Sequence, residues 1–218
     1  MKHIIWDWNG TLFDDLDLCF SCINRLLLSY GLIPLKDIEA YRNVFDFPIQ
    51  KYYQAIGFDF DRVPYEILAE DYMKDYQNKS LDCSLHQDAI STLQLAKSRN
   101  IKQTILSASQ LDYLRQQISL FPLEGLVDHI CGIQDIYAHG KLDLARSYVS
   151  TCDEQDEIWF VGDSIHDHEV AQALSCHCVL ISSGHQSHER LLKTGAPVFS
   201  TLLNGLDYIY ERDMDSKE

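Results

Sequence analysis

The sequence predicts an α/β protein, a doubly wound, Rossmann-like parallel sheet with an all-helical segment inserted after its first strand. Three observations lead there. Short apolar runs that stop at turn residues recur along the chain, each followed by a stretch of helical periodicity. That alternation is missing between about residues 15 and 78, where only helical patterns occur. A length of 218 residues suits one core of ordinary size plus a small inserted module.

The first run, HIIWDW at 3 to 8, reads as a buried parallel strand that ends at the turn signal Asn9-Gly10. Helical patterns follow from Asp15: one ends at Gly31, a C-cap candidate, two short amphipathic pieces cover 36 to 43 and 48 to 56, and a longer one contains VPYEILAEDYMKDYQNK. Alternation then resumes with a helix at 86 to 98, a strand at 101 to 108, a helix at 110 to 120 and a strand at 128 to 133. It continues with a helix at 141 to 150, the strand EIWFVGD at 157 to 163, a helix at 167 to 174 and a strand at 177 to 182. A short helix near 187 to 194, the strand PVFS and a final helix from 202 complete the pattern. The expected division is a core from 1–14 and 83–218, with the helical insertion at 15–82.

Eighteen Lys and Arg against thirty-three Asp and Glu give a net charge of −15. Such a chain repels nucleic-acid backbones and anionic membrane surfaces. A phosphorylated metabolite would be repelled too, unless a metal ion, a lysine or aligned backbone amides supplied a local positive site. The seven cysteines form no disulfide framework and are expected as free thiols, including the CxxC of Cys19 and Cys22. Neither a secretory leader nor a membrane span is recognisable, so the expected location is the cytoplasm. Nothing in the pattern announces an oligomer, and a monomer is the default.

Asp7-Trp8-Asn9-Gly10-Thr11 places a carboxylate at a strand end, beside a loop whose amides can face an anion at Gly10 and Thr11. Alone, such an aspartate is an ordinary turn or cap residue. Gly162-Asp163-Ser164-Ile165-His166-Asp167 ends a second strand in two carboxylates, which repel one another and a nearby third unless a cation bridges them; oxygen ligation of this kind suits Mg²⁺. Either aspartate could instead cap the following helix. Ser107 ends the strand QTILS, where its hydroxyl and the amides of Ala108 and Ser109 could hold phosphoryl oxygens. Lys141 starts a helix, a poor place for a cation, and so has an anionic partner or faces solvent.

Together these residues resemble the four ordered motifs of the haloacid dehalogenase superfamily: a first-strand Asp followed by Gly-Thr, a strand-end Ser, a Lys and a GDxxxD-type acidic loop. The resemblance spans about residues 3 to 200, and its helical insertion is similar to the C1-type cap of phosphoglycolate phosphatase-like members. It implies a hydrolase in which Asp7 attacks phosphorus, Mg²⁺ is held by Asp7, the Asn9 carbonyl and Asp163, and Asp167 orients the metal shell. It further implies that Lys141 neutralises Asp7 and the phosphate while Ser107 holds the transferring group. The implied substrate is a small phosphorylated metabolite.

One position departs from the pattern. Family phosphatases carry an aspartate two residues after the nucleophile as general acid and base; here it is Asn9, which can do neither proton transfer. Three readings follow: a phosphatase with an altered acid/base, a phosphonatase-like C–P hydrolase with Lys51 as Schiff-base former, or a phosphate-metabolite binding protein with little turnover. Arg42, in the turn RNVFDFP, or Lys51 is a candidate to grip a second anionic group, and His166 is a candidate for the missing proton transfer.

Overall fold

A computed structural model describes residues 1–137 and 140–215. The strands are β1 (Lys2–Trp6), β2 (Phe13–Asp14), β3 (Ser84–Leu85), β4 (Lys102–Gln110), β5 (His129–Ile133), β6 (Glu157–Gly162), β7 (His177–Ile181) and β8 (Val198–Phe199). The helices are α1 (Leu16–Ser29), α2 (Ile38–Val44), α3 (Ile49–Ala55), α4 (Tyr65–Ser80), α5 (Ala89–Ser98) and α6 (Leu111–Ile118), followed by α7 (Lys141–Val149), α8 (Ile165–Ala173), α9 (His188–Leu192) and α10 (Leu202–Asp215).

Six strands form one parallel sheet in the order β5-β4-β1-β6-β7-β8. Strand alternation divides the core between its two faces. Ile4 and Trp6 point to one side, where they join Ile105, Trp159 and Val161 under α5, α6 and α10; Ile5 points to the other, with Leu106, Ile158 and Phe160 under α7 and α8. β1 lies centrally, with β4 on one side and β6 on the other. The crevice beyond its carboxyl end is therefore the switch point at which open α/β sheets bind ligands.

β1 stops two residues short of the expected strand. The Asp7 amide still donates to the Val161 carbonyl at 2.8 Å, but the chain then turns about Trp8, whose carbonyl accepts the amides of Thr11, Leu12 and Phe13. The sequence also hides a small antiparallel ribbon in which Phe13–Asp14 pairs with Ser84–Leu85. Two residues are too few to show a periodicity, so no pattern marked it. Between these two short strands run α1 to α4, with a separate apolar cluster made largely of aromatic rings: Tyr41, Tyr52, Tyr53, Phe58 and Tyr65 pack with Ile23, Leu27 and Leu68. Cys19 and Cys22 are buried in that cluster on α1, and every cysteine is a free thiol. No helix among the described residues is long and apolar enough to cross a membrane.

Candidate active site

The carboxyl ends of β1, β4 and β6 deliver Asp7, Ser107 and Asp163 to one edge of the sheet, and α7 and α8 bring Lys141 and Asp167 to the same place. Asp7, Asp163 and Asp167 each offer a carboxylate oxygen, all within 4.8 Å of one another. Lys141, at the start of α7, is 5% exposed; its ammonium donates to Asp7 Oδ1 and, at 2.6 Å, to Asp167 Oδ1. An ammonium at a helix start is thus held by two carboxylates rather than by solvent. Among the described residues no donor is hydrogen-bonded to the second Asp7 oxygen, Oδ2, which leaves it uncommitted.

Asp167 serves two purposes. Its Oδ2 accepts from the Ser164 amide at 3.0 Å and the Ser164 hydroxyl at 2.6 Å, closing a capping box on α8, while its other oxygen takes Lys141. Asp163 accepts from the Thr11 hydroxyl at 3.1 Å and from the His185 amide at 2.6 Å. Burial pushes the Asp7 carboxyl up to about 8; Lys141 opposes this, while Asp167 and Asp163 add to it. Burial likewise raises Asp163. For Asp167 burial acts in the same direction but is outweighed by the Lys141 ammonium, which holds it below its ordinary value. One ammonium against three crowded carboxylates leaves negative charge to be neutralised, and hard oxygen donors in that arrangement fit a small divalent cation.

Asn9 is locked at both ends of its amide. Its oxygen accepts from the Ser109 hydroxyl at 2.7 Å and the Ser107 hydroxyl at 3.4 Å; its nitrogen donates to Asp15 at 2.8 Å and to the Tyr76 hydroxyl at 2.9 Å. Asp15, 1% exposed, also accepts from the Gly10 amide, the Tyr76 hydroxyl and His185 Nε2. Burial would raise Asp15, but the His185 imidazolium, with the bonds from Asn9 and Tyr76, holds it down at about 2. His185 is driven the other way: burial alone would lower it, and the carboxylates of Asp15, Asp163 and Asp7 lift it to about 9. Its Nδ1 meets the Tyr41 hydroxyl at 3.0 Å. Position 9 therefore requires a donor toward Asp15, which an amide provides and a carboxylate does not.

The close approach of these loops depends on two glycines. Gly10 has φ +72°, and a Cβ there would lie 2.5 Å from Asp163 and His185; a Cβ on Gly184 would meet Asp163 at 2.2 Å. The amides of Gly10 and Thr11, expected to face an anion, are instead engaged within the loop by Asp15 and by the Trp8 carbonyl. Ala108 and Ser107 line the cavity above the carboxylates. Arg42 and Lys51 do not. The Arg42 guanidinium is spent on the carbonyls of Gly184 and Ser183, at 2.9 and 2.7 Å, and Lys51 lies exposed on α3. His166 stacks on Phe47 at 4.8 Å, outside the cavity lining.

Sequence reasoning passed over Asp15, Tyr76 and Gly184, took Ser109 only for its backbone amide, and set His185 aside among nine histidines whose spacing fits no zinc site. Ser-Gly-His after β7 was the available signal: a glycine and a titratable side chain beyond the carboxyl end of another strand of the same sheet.

Residues 4–181 match the family of haloacid dehalogenase-like hydrolases. No curated protein matches the chain. Among solved structures, a predicted phosphatase from Clostridium acetobutylicum superposes with a TM-score of 0.81 at 17% identity, covering 96% of this chain and 98% of that one. A haloacid dehalogenase-like hydrolase from Streptococcus pneumoniae gives 0.78 at 17%, covering 95% and 97%. The protein tyrosine kinase A of Mycobacterium tuberculosis gives 0.76 at 20%, covering 93% and 96%. At these identities the likeness establishes the fold alone, while the family match, extending over most of the chain and all four motifs, shows that the protein belongs to the haloacid dehalogenase-like hydrolases.

Proposed function

We propose that the protein is a Mg²⁺-dependent phosphatase of small phosphorylated metabolites, working through an aspartyl phosphate on Asp7. The observation that carries this reading is the convergence of Asp7, Lys141, Asp163 and Asp167 beneath a cavity, with one Asp7 oxygen uncommitted. Asp7, Asp163 and Asp167, with the Asn9 carbonyl as the family resemblance implies, would hold the metal. When bound, that ion neutralises the carboxylates and polarises the phosphoryl oxygens.

The chain's own groups do the rest. Asp7 Oδ2 forms a bond to phosphorus as the bond to the ester oxygen breaks, and the departing oxygen takes a proton from solvent water. Lys141 offsets negative charge on Asp7 and the phosphoryl group, and Ser107, where the β4–β5 register breaks after Leu106, lines the cavity where its hydroxyl can bond a phosphoryl oxygen. Water then attacks the aspartyl phosphate, releasing inorganic phosphate and restoring Asp7. Asn9 transfers no proton; its place in the scheme is to hold the Ser107–Ser109 turn against Asp15. Lacking a general acid worth about 10²- to 10⁴-fold, turnover should depend steeply on the leaving group.

The locked Asn9 network also favours a second reading, a binding protein with little turnover. The phosphonatase-like alternative loses its candidate Schiff-base former, because Lys51 is exposed and away from the cavity. Hydrolysis of p-nitrophenyl phosphate with Mg²⁺ and with chelator, by the parent and Asp7→Asn, decides among them. Metal-dependent turnover that disappears in Asp7→Asn supports the phosphatase. Silence of the parent with every divalent metal, together with tight binding of phosphate esters, supports the binding protein.

A further inference from the structure

The cavity over Asp7 has a volume of about 180 Å³, larger than the roughly 150 Å³ that accepts a benzene ring in a protein interior. Its floor is the polar site. Its walls are of another character: nine Phe and Tyr side chains line it, among them Tyr41, Phe45, Tyr72 and Tyr76 from the helical insertion and Tyr113 from α6, together with Met73 and Ile49. The two lining residues able to carry positive charge, among those described, are Lys141 and His185. Lys141 is bonded to Asp7 and Asp167, and His185 to Asp15. No cation in the described wall remains for a carboxylate or a second phosphate, and an unpaired anion in apolar surroundings costs far more than it gains. Aromatic walls, by contrast, favour a ring, by area and by edge-to-face contact.

Resting on the phosphatase reading above, we infer that the site selects phosphate monoesters whose leaving group is an uncharged, aromatic-bearing alcohol, and rejects esters that carry a second anionic group. Arg42, the residue best placed in sequence to grip such a group, is turned away and bound to two backbone carbonyls.

The test is a substrate series with primary-alcohol leaving groups, so that preference is not confused with chemical activation: 2-phenylethyl phosphate, ethyl phosphate and 2-phosphoglycolate, with p-nitrophenyl phosphate as a positive control. Burial of a phenyl ring should raise kcat/KM for phenylethyl over ethyl phosphate by about 10- to 100-fold, mostly through KM, and phosphoglycolate should fall below ethyl phosphate. In Tyr72→Ala, or in Tyr113→Ala should that variant alone fold, the phenylethyl-to-ethyl ratio should narrow. Met73→Lys, which places a cation in the wall, should improve phosphoglycolate relative to phenylethyl phosphate. If the control is hydrolysed but phosphoglycolate outruns the phenylethyl ester, the selectivity is overturned while the phosphatase reading stands. If neither the control nor any ester is hydrolysed, the phosphatase reading falls and the selectivity with it.

Discussion

Restoring the carboxylate that family phosphatases carry two residues after the nucleophile should harm this protein rather than repair it. Asn9→Asp would remove the amide that donates to Asp15 at 2.8 Å and to Tyr76 at 2.9 Å, and would set two buried carboxylates against each other. With charge centres about 4 Å apart and an effective dielectric of about 20, their repulsion is about 4 kcal/mol. That is about 3 pK units at 1.36 kcal/mol each, so one proton is retained on the pair near neutral pH. We expect a loss of about 2–4 kcal/mol in urea unfolding at pH 7.5. A carboxyl whose folded pKa is raised costs stability above its unfolded pKa and nothing below it, so the loss should shrink steadily toward pH 4. Asn9→Asp combined with Asp15→Asn reverses donor and acceptor across the same contact. A double-mutant cycle should therefore return a favourable coupling of at least about 2 kcal/mol, although His185 loses its anionic partner. An Asn9→Asp protein as stable as the parent at pH 7.5, or a cycle without coupling, would refute the reasoning.

Two further outcomes follow from the same interior. His185 rises from 6.5 to about 9 on folding and faces Asp15, Asp163, Asp7 and the Tyr41 hydroxyl; Asp15 falls from 3.8 to about 2. The imidazolium's contribution is complete below pH 6.5 and lost as pH rises through about 9, and that of Asp15 is complete above 3.8 and lost as pH falls through about 2. The pair thus stabilises most between about pH 4 and 6.5, and the stability difference between parent and His185→Gln, measured by thermal unfolding, should decline by about 3 kcal/mol between pH 6.5 and 9.5; a constant difference would contradict it. The Tyr52 hydroxyl is buried with no hydrogen-bond partner among the described residues, so Tyr52→Phe should leave urea stability unchanged or raise it by about 1 kcal/mol, and a loss beyond about 1 kcal/mol would reveal an unrecognised bond.

The elements that carry periodicity were legible in the sequence, and so was the set of residues they gather at the candidate site. β1, β4 and β6 are apolar runs with buried side chains, and their ends mark Asp7, Ser107 and Asp163 because a parallel sheet collects strand termini on one edge. Lys141 was legible only as a cation in need of an anion. What the sequence concealed is tertiary by nature. Asp15 sits at the start of α1 and reads as an ordinary cap, yet its side chain makes no cap bond and instead joins Asn9, Tyr76 and His185, the last 170 residues away. Arg42 reads as a substrate clamp because arginine suits anions, and only the packing of α2 on the Ser183–Gly184 loop reveals that two carbonyls claim it. Asn9 reads as a loss because Asp15, which requires an amide there, looks six residues on like a helix cap, and Tyr76, which shares the bond, is 67 residues away.

The contacts that fasten α2 converge on one short stretch beyond β7. Besides the Arg42 bonds, Arg190 donates to the carbonyls of Arg42 and Phe45, Gln186 to that of Phe45, and Ser187 to the Asn43 side chain. All of these anchors lie in residues 183–190, the stretch whose His185 amide also fixes Asp163. Each bond is worth about 1 kcal/mol net, since water replaces it when broken, so the six together hold α2 in place by about 6 kcal/mol. A change that loosens α2 therefore also loosens the eight-residue stretch whose His185 amide holds the Asp163 carboxylate, so helix and carboxylate are mechanically linked.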